Sequence, residues 1–127
     1  MHKKSYSAQR MDELLNKSSG LKGISGISND MRTLVDRKNK GDKRAKLAID
    51  IFVYRVKKYI GSYTAIMEGL DALVFTAGIG ENQADIREQI CRGAFAHLKK
   101  EPKILVIPTN EELMIARETF GVIQAVS

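Results

Sequence analysis

Apolar residues follow three different rhythms along this chain, and each rhythm predicts its own kind of element. From Ser7, the segment SAQRMDELLNKSSGLKG gathers Met11, Leu14 and Leu15 on one side of a helix, with Ser7 as N-cap and Gly20 as its stop. In GISGISND, Gly23 and Gly26 alternate with Ile24 and Ile27, which reads as a glycine-punctuated loop. Asn29 or Asp30 can cap the helix that follows, which carries Met31, Leu34 and Val35. From about Asp42 to Leu70, Ala48, Phe52, Val56, Ile60, Tyr63, Met67 and Leu70 recur every three or four positions, predicting one long helix with Gly61 as its weak point. Between the last two helices, RKNKGDKRAK holds six basic residues from Arg37 to Lys46 and predicts a solvated connection.

The third rhythm is a short unbroken apolar run. Leu73, Val74 and Phe75, closed by Gly78 and Gly80, predict a strand buried on both faces. A helix starting near Asn82 then carries Ile86, Ile90, Phe95 and Leu98. KILVIPTNEELMIARETF repeats the plan: a strand from Ile104 to Ile107, a break at Pro108, and a helix with Thr109 and Glu112 at capping-box spacing. Strand, polar turn and helix therefore occur twice, which predicts an α/β fold with parallel strands joined by a right-handed crossover and the long helix covering the sheet.

Length and composition narrow the class. A chain of 127 residues with 43% hydrophobic content supports one core of ordinary size. The formal net charge of +6 permits anionic partners without choosing among them. The single cysteine, Cys91, excludes an internal disulfide and a zinc ribbon and suits a reducing, cytoplasmic setting. No apolar run follows the charged start MHKKSYSAQR, so neither a secretory leader nor a membrane span is expected.

Candidate chemistry concentrates at the turn after Phe75. Thr76, Ala77, Gly78 and Gly80 have small side chains or none between a strand and a helix start, where a ligand can approach backbone amides. Asn82 can cap the helix or bond to a ligand. Glu111 and Glu112 open the helix after the second strand, where acidic residues complement the helix dipole and where a carboxylate could also hold magnesium. Asp30 can be an N-cap or a ribose contact, and the planar guanidinium of Arg32 can lie on a base.

Other reactive residue types lack the neighbours that catalysis requires. His2 and His97 have no acidic or cysteine partner at ligand spacing and are expected at the surface. Ser5, Ser18, Ser19 and Cys91 show no nucleophile context. The basic run has no interleaved aromatic residue to stack on bases, so nucleic acid is not an expected partner.

Three strings taken together, GISGISND with Met31 and Arg32, DALVFTAGIGEN, and VIPTNEELMIAR, closely resemble the acetate kinase family, and the likeness runs from about Ser7 to Thr119. The resemblance implies a partial ribonuclease-H-like (actin-like ATPase) domain, of the acetate and sugar kinase, Hsp70 and actin superfamily. Residues 1–127 would form the carboxy-terminal nucleotide-binding part. It implies interconversion of ATP plus acetate with ADP plus acetyl phosphate in the intact enzyme, with magnesium as cofactor and a homodimer as the assembly. Carried over position by position, Asp30, Met31 and Arg32 fall where the family contacts the nucleoside, although a phenylalanine often stands at the place of Met31. Gly78, Ile79, Gly80, Glu81 and Asn82 fall on the adenosine-side turn, and Glu111 on the glutamate associated with magnesium. No catalytic residue of the family falls within this chain, and only KKEPK stands where the family has a longer connection. The other reading in view is a non-catalytic nucleotide-binding or partner-docking module.

Overall fold

The computed structural model describes residues 6–126, so His2 and Ser5 lie outside the described residues. Helix α1 (Ala8–Lys17) begins as expected, with the Ser7 hydroxyl accepting from the Arg10 amide, but its apolar side stays largely open: Met11 and Leu15 are exposed. Gly20 does not act as a stop. With φ of +56° it opens a second short helix, α2 (Gly20–Ser25), so the first three residues of the expected glycine loop are helical. Gly26, at φ +69°, is the true terminator, and its amide closes on the Lys22 carbonyl.

Helix α3 (Met31–Asn39) is capped by Asp30 and takes in the first three residues of the basic segment. The long helix α4 (Lys43–Ile66) starts at once from Asp42, whose carboxylate accepts from the amides of Arg44 and Ala45. The expected solvated connection is therefore only a turn. Its charges are used locally: Arg37 pairs with Asp42 at 3.0 Å, Lys40 with Asp36 at 2.7 Å and Lys46 with Asp50 at 2.6 Å.

Three helices meet on α4. Its inner side presents Ala45, Ala48, Ile49 and Val53 to Met31 and Leu34 of α3 and to Ile86 and Ile90 of α6 (Ala84–Cys91), while α2 packs alongside. The expected stripe holds for Ala48, Phe52, Val56 and Ile60 and then fails, because Tyr63 and Met67 are exposed. The buried side runs on through Thr64, 2% exposed and four positions beyond Ile60, so Tyr63 and Met67 fall to the side of it. Phe95 is buried and Leu98 half-buried beyond the end of α6, in the irregular connection rather than on the helix.

Strands β1 (Ala72–Phe75) and β2 (Lys103–Val106) pair in parallel, with Leu73 opposite Ile104 and Phe75 opposite Val106. The parallel pairing matches expectation; the burial does not. Val74 is 46% exposed and Ile104, Leu105 and Val106 are 40–43% exposed, because this sheet has two strands and only Phe75 leans on the core. Between the strands stand α5 (Ala77–Asn82) and α6; after β2 comes α7 (Glu111–Val126), with Leu113, Met114, Ile115 and Phe120 exposed. No described helix is long and apolar enough to cross a membrane.

Candidate functional site

Two segments that are distant in sequence meet at an open cleft of about 750 Å³. On one side stand Asn29, Asp30, Met31 and Arg32; on the other, Gly78, Ile79, Asn82 and Gln83. That volume is within the range of small-molecule sites, roughly 300–1,000 Å³.

Serine hydroxyls shape the first wall. The buried Ser25 hydroxyl accepts from the amide of Ile27 at 3.0 Å, and the Ser28 hydroxyl accepts from the amide of Asp30, also at 3.0 Å. These bonds fold SGISND into a compact reversal that delivers Asp30 to the start of α3. Arg44 secures the reversal from below by donating to the Ile24 carbonyl at 3.1 Å. Asp30 accepts from the Arg32 amide at 2.9 Å and from its guanidinium at 3.2 Å. The Arg32 hydrogen bonds, side chain first and then amide, hold the Asp30 carboxyl below the usual aspartate range. Both open possibilities for Asp30 are thus compatible: it caps the helix and still keeps acceptor capacity, since a carboxylate has about four lone-pair positions. Arg32 remains 79% exposed in its side chain, leaving a guanidinium face open to the cleft. Met31 does double duty as a core residue, 3% exposed, and part of the cleft floor.

The second wall is the GIGEN string, which is a helix rather than a loop. Gly78 has nothing within 4 Å of where a Cβ would stand, so its backbone is bare toward the cleft. Asn82 neither caps α6 nor stands free; its amide donates back to the Gly78 carbonyl at 3.0 Å. Arg87 supports the far end by donating to the carbonyls of Gly80 and Glu81 at 2.8 and 2.9 Å.

Three expected site residues stand apart from this cleft. Gly80 turns inward, toward Phe75, and lines a small apolar pocket of about 250 Å³ with Phe52, Val56 and Ile86. Glu81 points at the second strand–helix corner, where one carboxylate oxygen accepts from the Thr109 amide at 2.8 Å and from its hydroxyl at 2.6 Å. Those two bonds, the hydroxyl's first, hold the Glu81 carboxyl below the ordinary glutamate value. Glu111 opens α7 at that same corner, exposed and outside the cleft lining.

Thr109 was expected to cap α7. Asn110 takes that role, its side-chain oxygen accepting from the Leu113 amide at 3.0 Å, and Thr109 is free to bind Glu81. Asn29 and Gln83 are cleft residues that sequence reasoning missed as ligand contacts. Each sits next to a residue that was chosen, so extending each motif by one position would have found them. Among the described residues no group of three or more histidine, cysteine or acidic side chains could hold a metal ion, and His97 is exposed as expected.

The profile of the acetokinase family matches residues 1–98. This chain belongs to the acetokinase family. The acetate kinase of Heliobacterium modesticaldum is 42% identical over 143 aligned positions, covering 98% of this chain and 36% of that protein. That aligned span exceeds the 127 residues here, so the relative carries residues with no counterpart in this acetokinase chain. In structure, Porphyromonas gingivalis acetate kinase superposes with a TM-score of 0.79 at 37% identity, over 93% of this chain and 35% of that one. A propionate kinase from Francisella tularensis gives 0.78 at 46% identity, over 89% and 34% respectively. The chain thus spans about a third of the length of the relatives it matches, and its helix-rich body with a small parallel sheet is a partial actin-like ATPase fold.

Proposed function

We propose that residues 1–127 are the carboxy-terminal, nucleotide-side portion of an acetate kinase, the enzyme that interconverts ATP plus acetate with ADP plus acetyl phosphate. The observation that carries this reading is the cleft where the Asp30–Arg32 turn faces the bare backbone of Gly78 and Ile79. An adenosine bound there would set its base between the Arg32 guanidinium and the glycine backbone and offer its ribose hydroxyls to Asp30 and Asn82.

The phosphates of a bound nucleotide call for magnesium. It is usually held by one or two carboxylates together with substrate phosphates and water, and Glu111, exposed at the mouth of α7, supplies one such carboxylate. Bound there, the ion would neutralise charge on the phosphates. Arg32 is the cation that this chain brings to the cleft lining. Phosphoryl transfer needs several such groups around the γ-phosphate. The chain alone is therefore expected to bind nucleotide weakly and to turn over little or no acetate. The homodimer that the family resemblance implies belongs to the intact enzyme.

Calorimetric titration of the 127-residue chain with magnesium ADP tests the reading. Binding should be lost in Gly78→Val, which fills the open backbone, and lose its magnesium dependence in Glu111→Ala. Equal affinity in Gly78→Val, or brisk acetyl phosphate formation by the wild-type chain, would contradict it. A second reading, a non-catalytic docking module, is favoured by the exposed apolar residues of β2 and α7. It predicts no heat with magnesium ADP at all.

A further inference from the structure

Proton counting at Thr109 fixes a hydrogen-bond chain that joins the two strand–helix corners. The hydroxyl has three polar neighbours: the Glu81 carboxylate at 2.6 Å, the Ala77 amide at 2.9 Å and the Thr76 hydroxyl at 3.1 Å. A carboxylate can only accept and an amide can only donate. The one proton of Thr109 therefore goes to Glu81, its oxygen accepts from Ala77, and the remaining contact requires Thr76 to be the donor. The direction of all three bonds is thereby assigned, from the acceptor-only carboxylate of Glu81 at one end and the donor-only amide of Ala77 at the other.

The residue held by this chain is an unusual one. Ala77 has φ of +59°, in the left-handed region that costs an L-residue with a Cβ roughly 1 kcal/mol or more. It persists only where its surroundings over-determine it, and here its amide is tied to Thr109. Gly78 and Ile79, the next two residues, form the cleft wall. Thr109 in turn lies two positions before Glu111, at the end of the strand whose Ile107 amide still donates to the Phe75 carbonyl at 2.9 Å.

We propose that Glu81 is a positioning residue: acting through Thr109, it holds Ala77 in its left-handed conformation and so sets the Gly78–Ile79 wall of the cleft relative to the start of α7. It does not itself touch the ligand. This inference rests on the nucleotide reading of the cleft only for its functional consequence; the hydrogen-bond chain stands without it.

The test uses amide hydrogen exchange by NMR on the full chain, with and without magnesium ADP. In Thr109→Val and in Glu81→Ala, exchange at Ala77 should rise about 10-fold, the effect of losing one internal hydrogen bond. Thr109→Ser, which keeps the hydroxyl, should stay within about twofold of wild type. Exchange at Ile49, deep in the core, should not move, which separates a local effect from general unfolding. Magnesium ADP affinity should fall about 10-fold in the two breaking variants and be restored in Thr109→Ser. Unchanged exchange at Ala77 in either Thr109→Val or Glu81→Ala overturns the proposal. If the wild-type chain shows no nucleotide binding, the functional reading fails, while the exchange comparison still decides the role of Glu81.

Discussion

A Cβ on Gly80 would stand 3.2 Å from the carbonyl carbon of Phe75, whereas one on Gly78 would meet nothing within 4 Å. Two glycines in one motif thus serve different ends, close packing in one case and open backbone in the other. The colliding atom at Gly80 is main chain at the end of β1, which cannot swing aside. Gly80→Ala is expected to destabilise the fold by about 1–2 kcal/mol, the usual range for overpacking. Gly78→Ala should leave stability unchanged or raise it slightly, since alanine is the better helix former, yet weaken magnesium ADP. Paired urea melts and titrations of the two variants check this, and the same response from both would refute it.

Arg87 holds the last carbonyls of α5 with one nitrogen, at 2.8 and 2.9 Å. Such charge-assisted bonds contribute about 1.5–3 kcal/mol. Arg87→Met should therefore lower stability by about that much in a urea melt. Arg87→Lys should recover little of it, since a lysine has a shorter reach and no planar fork. Full recovery with lysine would show that charge alone matters at this position.

Ile49 is fully buried where α4 meets its neighbours. Truncation there removes buried methyl groups and leaves a cavity, so Ile49→Ala is expected to cost about 3 kcal/mol in chemical denaturation. Leu15→Ala, on an exposed position of α1, should change stability by less than about 0.5 kcal/mol. A comparable loss in both would mean that α1 is packed in solution.

The Glu81 carboxyl is held below its usual value by the Thr109 hydroxyl and then the Thr109 amide, and Asp42 is lowered first by the Ala45 amide. A group with a depressed folded value binds its proton more weakly when folded than when unfolded. Its stabilisation is complete above the unfolded value, about 4.3 for glutamate, and is lost as pH falls through the folded one. Wild-type stability should therefore decline as pH drops below about 4.5, and Glu81→Gln should decline less steeply. Parallel slopes for the two proteins in acid titrations followed by circular dichroism would rule out a contribution from Glu81.

Much of this was readable from residue order. Ser7, Asp30 and Asp42 cap helices because short polar side chains reach amides two or three positions ahead, a local rule that needs no tertiary knowledge. Parallel β1 and β2 followed from the repeated strand–turn–helix order. The family, too, was visible in three strings. What local rules could not supply was choice between partners. Thr109 had the spacing of a cap, yet Asn110 won the cap once Glu81, 28 positions earlier, claimed the threonine. Gly20 looked like a terminator but begins a helix, since positive φ serves either end of one. Burial of Val74 was misjudged because an apolar run announces a strand that can be covered on both sides, not whether anything in the same chain covers it.

Residues 103–126 connect to the helical body chiefly through the β1–β2 ladder and the Thr109 bonds. A two-stranded ladder with little apolar cover is a weak hinge line. That segment should detach as a unit well before the core melts. Limited proteolysis would then nick the connection around residues 98–102 first, freeing the α7 end and sparing the four-helix cluster. In a protein built this way, whatever presses β2 and α7 down onto their neighbours also decides how long the Thr109 hydroxyl stays within reach of the Ala77 amide.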